Sequence, residues 1–142
     1  VQQLIRTLGS KALVHGICVG DIVWDNHALF PDYNEAVAKM GIPFFQALGN
    51  HDMDYRQGGD ETSDKTFKAT YGPTYYSFNR GKAHYVVLDD VFFIGTAKKY
   101  IGYITENQLQ WLDNEARQDD YLIGYALFTD IGAAADDAGC AA

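Results

Sequence analysis

The chain of 142 residues is short of positive charge, with 11 lysines and arginines against 19 aspartates and glutamates and a formal charge of −8. A general nucleic-acid binder needs a basic face for phosphates, so no nucleic-acid-binding surface is expected. An acidic protein that works on phosphates would instead recruit metal ions to neutralise them. Cysteine is nearly absent. Cys18 and Cys140 are far apart and lack metal-ligand spacing, and Cys18 sits inside an apolar run as a small core residue. A disulfide framework is therefore not expected. No apolar run approaches the roughly 18 residues of a membrane helix, and the opening VQQLIRTLGS has no signal-peptide pattern. Internal repeats are missing as well.

What remains is a globular balance, 47% hydrophobic and 21% charged, at a length that suits one domain with a real core. Residues 2–8 carry Leu4, Ile5 and Leu8 at helical spacing, stopped by Gly9. Residues 12–21 (ALVHGICVGD) form a short apolar run ending in Gly-Asp, as a buried parallel strand does. A helix is expected over 32–40 with Tyr33, Ala36, Val37 and Met40 inward. A second apolar strand follows over 42–48 (IPFFQAL) and ends at Gly49. Strand, loop, helix and strand make a βαβ unit whose crossover favours a parallel pair.

Beyond a polar loop at 53–64, a short helix is expected around 65–70 and a hairpin over 74–90, turning at Asn79-Arg80-Gly81. Thr105 begins a helix with Gln108 completing a capping box. Its apolar face is read as Leu109, Leu112 and Trp111. Residues 121–128 (YLIGYALF) are another buried strand candidate, and residues 129–142 an Ala-rich tail with little information.

The chemistry gathers at two strand ends. In open α/β sheets, ligands collect outside the carboxyl ends of the strands. Gly20-Asp21 and Gly49-Asn50-His51-Asp52 are therefore expected to be neighbours in space. Asp21 and Asn50 offer oxygens suited to hard or borderline divalent cations. His51 can ligate a metal or act as a general acid, and Asp52 can hold its imidazole in one tautomer. Each block could equally be only a turn. Asp25 reads as a loop cap, and His84 as a cross-strand or surface residue. Asp89 and Asp90 end a Val-Val-Leu strand, from which one could face the rim of Asp21. Tyr55, Arg56 and His27 are candidate substrate contacts, with Arg56 suited to a phosphate oxygen.

GDIVWDN at 20–26 followed by GNHD at 49–52 resembles the calcineurin-like metallophosphoesterase superfamily. YGPTYYSFNRGKAHYVVLDD and GYITENQLQWLDNEA look like the hairpin and following helix of many bacterial members. The resemblance covers residues 1–128 and implies an α/β sandwich of two mixed sheets flanked by helices, present in part. It implies two divalent ions (Mn, Fe, Zn or Mg) and a small phosphoester substrate, mono- or diester. By the same resemblance Asp21 and Asn50 would be metal ligands, His51 the catalytic acid and Asp52 the residue orienting it. Members with this wording are often exported, which implies a bacterial periplasm or envelope, otherwise the cytoplasm.

The family also needs an Asp-x-His upstream, a later lone His and a Gly-His-x-His block. His15 has no Asp at position 13, and no histidine follows His84. Two ligands do not hold a dinuclear centre. The remaining ligands are thus expected from residues outside this chain, as in a truncated piece of a longer enzyme. The alternative is a silent binding or scaffold domain of the same fold. Neither reading fixes an oligomeric state.

Overall fold

A computed structural model of the protein describes residues 13–55, 58–95, 100–117 and 126–128. The fold is mixed α/β with small sheets. Strand β1 (Gly16–Val19) pairs in parallel with β2 (Phe44–Ala47), and helix α1 (Phe30–Ala38) forms the crossover between them. Pro31 opens α1, where a missing N–H costs nothing, and Phe30 and Val37 are its buried residues. The register sets Gly16 against Phe44 and Val19 against Ala47, so the two strands finish level. That alignment brings the segments after Val19 and Ala47 to one sheet edge.

Two short helices, α2 (Asp60–Ser63) and α3 (Lys65–Tyr71), precede a hairpin of β3 (Tyr76–Arg80) and β4 (Ala83–Val87). The hairpin turns through Gly81 and Lys82, and Gly81 holds the positive φ of 60° that a tight turn requires. Strand β7 (Ala126–Phe128) adds to β4 in parallel. Strands β5 (Val91–Phe93) and β6 (Tyr100–Gly102) pair separately, and α4 (Glu106–Ala116) follows. The expected helix at 2–8, the tail at 129–142 and most of the 121–128 strand lie outside the described residues. No described helix is long and apolar enough to cross a membrane.

Aromatic rings join the parallel pair to the hairpin. Phe45 of β2 stacks on Phe78 of β3 at 3.6 Å, Phe78 stacks on Tyr85 of β4 at 4.9 Å, and the edge of His15 meets all three. The Tyr76 hydroxyl donates to the Gln46 carbonyl at 2.9 Å, which fixes β3 beside β2. A separate apolar cluster of Met53, Val91 and Phe93 packs under Tyr55 and Tyr100.

Helix α4 starts as expected: Thr105 Oγ1 accepts from the Gln108 amide. The Gln108 side chain touches the cap only through Nε2, 3.5 Å from Thr105 Oγ1, and extends past it. It reaches the backbone of Asp89 beyond β4, accepting from the N–H at 2.9 Å and donating to the carbonyl at 2.8 Å. Gln108 is buried while Leu109 is 45% exposed. The inward face of α4 thus runs through Gln108, with Trp111 against Tyr75, and not through Leu109. His84 takes the cross-strand role and not the surface one: it is buried opposite Asn79 of β3, its ring between Asn79 Oδ1 and Glu115 Oε2, which accepts from Ser77 Oγ as well.

Asp89 itself holds Val91 N–H on Oδ1 at 3.2 Å and bonds Thr74, a different neighbourhood from Asp21. Burial pushes its carboxyl from 3.8 up to about 6, against the pull of those two hydrogen bonds. The folded state then binds a proton more tightly than the unfolded chain. Stability should be highest below about pH 4 for this group and fall as pH rises through about 6. Asn at this position keeps an oxygen for Val91 and removes the buried charge. Asp89→Asn should therefore stabilise the protein at pH 7, by up to about 3 kcal/mol. Denaturant unfolding at pH 4.5 and pH 7 checks this; an equal effect of the substitution at both pH values contradicts it.

Candidate functional site

The segments after β1 and β2 meet along five hydrogen bonds. The chain turns sharply after β1 because Asp21 and Asp25, neither of them glycine, hold φ of 49° and 56°. That conformation costs an L-residue roughly 1 kcal/mol each, so it persists only where surrounding contacts impose it. The contacts come from the one-turn 3-10 helix Asn50–Asp52. The His51 amide donates to Asp21 Oδ1 at 3.1 Å, and the Asp25 amide donates to the His51 carbonyl at 3.1 Å. Asp52 receives the amides of Ile22 at 3.1 Å and Val23 at 3.0 Å, and His51 Nδ1 lies 3.0 Å from Asp25 Oδ1.

Gly49 is required by this approach and not by its φ. A Cβ there would lie 2.0 Å from the Asp21 amide nitrogen and 2.5 Å from Asp21 Oδ1. The clash is with backbone, which cannot swing aside. Gly49→Ala should push the strand ends apart at a cost of roughly 1–3 kcal/mol. Thermal unfolding reads it, and an unchanged transition would rule out the close approach.

Asp52 is completely buried, and its carboxylate spans both segments. Besides Ile22 and Val23 it accepts from the Gly49 amide at 2.9 Å. Burial pushes its carboxyl up to about 6, even though three N–H groups pull the other way. The expected role of Asp52 in orienting His51 is corrected here. Its oxygens serve backbone amides, and Asp25 faces the imidazole instead. On a 3-10 turn successive side chains diverge by about 120°, so a residue adjacent to His51 in sequence points elsewhere.

The His51 ring is sandwiched on one side by Trp24, with ring centroids 3.6 Å apart and planes 23° from parallel. Asn50 is buried, and its carbonyl accepts a short hydrogen bond from the Tyr55 hydroxyl. Burial raises that hydroxyl to about 12, so it stays protonated and donating. Tyr55, expected at the substrate, thus supports Asn50 while its ring packs on Phe93 at 5.6 Å. His27 stacks on Phe30, and its Nδ1 lies 3.3 Å from Asp54 Oδ1, whose carboxylate also holds the amide and hydroxyl of Thr66. It braces the loop against α3 rather than joining the His51 cluster. Arg56 lies outside the described residues.

The structure brings together Asp21, Asn50, His51 and Asp52 as expected, and adds Asp25 and Trp24. Only the acid four places after Asp21 hinted at Asp25, and a turn explained it equally well. Among the described residues, no group of three or more His, Cys, Asp or Glu could hold a metal ion. Asp21 and Asn50 are oxygen donors of the right kind, but two donors do not complete the sphere of even one such cation. By themselves the described residues do not fit a dinuclear centre.

No family model matches the chain, nor does any curated protein or solved structure.

Proposed function

We propose that the chain belongs to the calcineurin-like metallophosphoesterases and contributes one side of a site that hydrolyses small phosphate mono- or diesters. The observation that carries this reading is the junction of Asp21 with His51, across the level ends of two parallel strands. It is supported by the GDIVWDN and GNHD blocks that form the junction. Divalent ions would supply charge neutralisation at the phosphate, with further ligands from beyond the described residues.

This chain's own contribution is to hold an acid. Asp25 fixes the imidazole through Nδ1 and leaves Nε2 to exchange a proton. Trp24 covers one face of the ring and keeps water from it. In hydrolysis the phosphorus–oxygen ester bond breaks, the oxygen of water ends on phosphorus, the proton from His51 ends on the departing alcohol, and the proton that water gives up returns through solvent to His51. Asp21 and Asn50 lie at the same edge, where oxygen donors could hold a cation against the phosphate.

Metal analysis and turnover test the proposal in the protein at its full natural length. An aryl phosphate and a bis-aryl phosphodiester, with and without manganese, are the substrates. Bound metal together with metal-dependent turnover of either ester is expected. No bound metal and no turnover would leave the alternative, a binding or scaffold domain of the same fold.

A further inference from the structure

Trp24 is the most exposed large apolar side chain among the described residues, at 73%, yet it is not loosely held. It sits between Ile22 and Val23, whose amides Asp52 fixes, and Asp25, whose amide and carboxylate both meet His51. One face of the indole lies on the imidazole, and the exposure of the residue leaves the other face to water. An indole kept rigid with one face open is already ordered for stacking, so little freedom is lost when a second ring settles on it.

From this we infer that Trp24 is a stacking platform for the leaving group, and that the site selects phosphoesters carrying a flat aromatic ring, as nucleoside monophosphates do. The inference rests on the reading of the site as a phosphoesterase and names its substrate class. A ring on the outer face would lie two stacking intervals from the imidazole, each near the 3.6 Å seen between Trp24 and His51. One pentose bridges such a separation, with the phosphate at the edge that carries Asp21, Asn50 and His51. Stacking is tolerant of base identity because every base has a π face. The acidic chain disfavours a polynucleotide, whose many phosphates would need cations, but not a ligand with a single phosphate.

Fluorescence separates this inference from turnover. The chain has two tryptophans, Trp24 and Trp111, and Trp111→Phe keeps a ring against Tyr75 while leaving Trp24 as the only tryptophan emitter. With manganese present, adenosine 5′-monophosphate should quench that emission saturably, and glycerol 3-phosphate at equal concentration should not. p-Nitrophenyl phosphate distinguishes a simple aryl ring from a nucleobase: tighter binding of the nucleotide supports the nucleobase, and equal binding supports any flat ring. In wild-type background, Trp24→Ala should lower the preference for the nucleotide over glycerol phosphate roughly tenfold, and Trp24→Phe should recover most of it. Equal binding of the nucleotide and glycerol phosphate, or a preference that Trp24→Ala leaves intact, overturns the inference. Quenching without turnover of any ester would overturn the phosphoesterase reading and keep the platform. Turnover whose preference ignores Trp24 would do the reverse.

Discussion

Asp52→Ala will lower the unfolding temperature by roughly 10 °C. The completely buried carboxylate accepts from the amides of Ile22, Val23 and Gly49, and alanine leaves all three without a partner. Each orphaned buried N–H costs about 1–3 kcal/mol, and each kcal/mol moves the transition of a domain this size by roughly 2–4 °C. Asp52→Asn also removes a buried charge, as at Asp89, yet it will fall between the two. Its amide oxygen can keep Ile22 and Gly49, while its NH2 opposes the Val23 amide. Differential scanning calorimetry of the three proteins measures the order. A transition unmoved by Asp52→Ala would mean that the carboxylate does not hold the strand ends together.

His51→Ala will reduce turnover of a phosphoester by on the order of 10²- to 10⁴-fold, the range in which a positioned acid contributes. Fold and metal content should stay close to wild type, because the backbone of residue 51 makes the structural bonds: its amide to Asp21 and its carbonyl to Asp25. In the proposed reaction Asp25 would act through His51, as a positioning residue. Asp25→Asn should lower kcat roughly tenfold or more and reshape the pH profile while KM holds. Asp25→Glu should recover part of the loss. Steady-state kinetics across pH reads both effects, and unchanged kcat in Asp25→Asn would free His51 from that partner.

The sequence made some of this legible for physical reasons. Apolar runs that end in glycine and then polar residues marked β1 and β2, and their separation by one helix made them parallel neighbours. The strand-end position of Asp21 and Asn50–Asp52 followed from that alone. Gly81 was equally readable as a turn residue, because only a few residue types tolerate its φ, but Asn79 and Arg80 belong to β3 and the turn runs through Gly81 and Lys82. What escaped was set by contacts far apart in sequence. Gln108 carried the right local signal as a capping partner, yet its side chain serves the backbone of Asp89, nineteen residues away.

Of the face read for α4 only Leu109 was misplaced, at 45% exposed, whereas Trp111 packs on Tyr75 and Leu112 is half-buried. With Leu109, Trp111 and Leu112 so close together, helical periodicity cannot choose the buried face without knowing what lies opposite. The exchange of roles between Asp25 and Asp52 depended on two aspartates in left-handed backbone and on a 3-10 turn. Neither leaves a pattern in residue types. Adjacency in sequence suggested Asp52 for His51, and the geometry of the turn gives the ring to Asp25.

If His51 delivers a proton to the departing alcohol, as proposed, leaving-group dependence exposes it. Turnover by wild type and His51→Ala can be compared on two phosphodiesters, one releasing a nitrophenol and one an alkyl alcohol. A nitrophenolate leaves with little need of a proton, whereas an alkoxide needs one. Proton delivery by His51 predicts a loss in His51→Ala that is orders of magnitude larger for the alkyl ester than for the nitrophenyl ester. Equal losses on the two esters, or none on either, would contradict it.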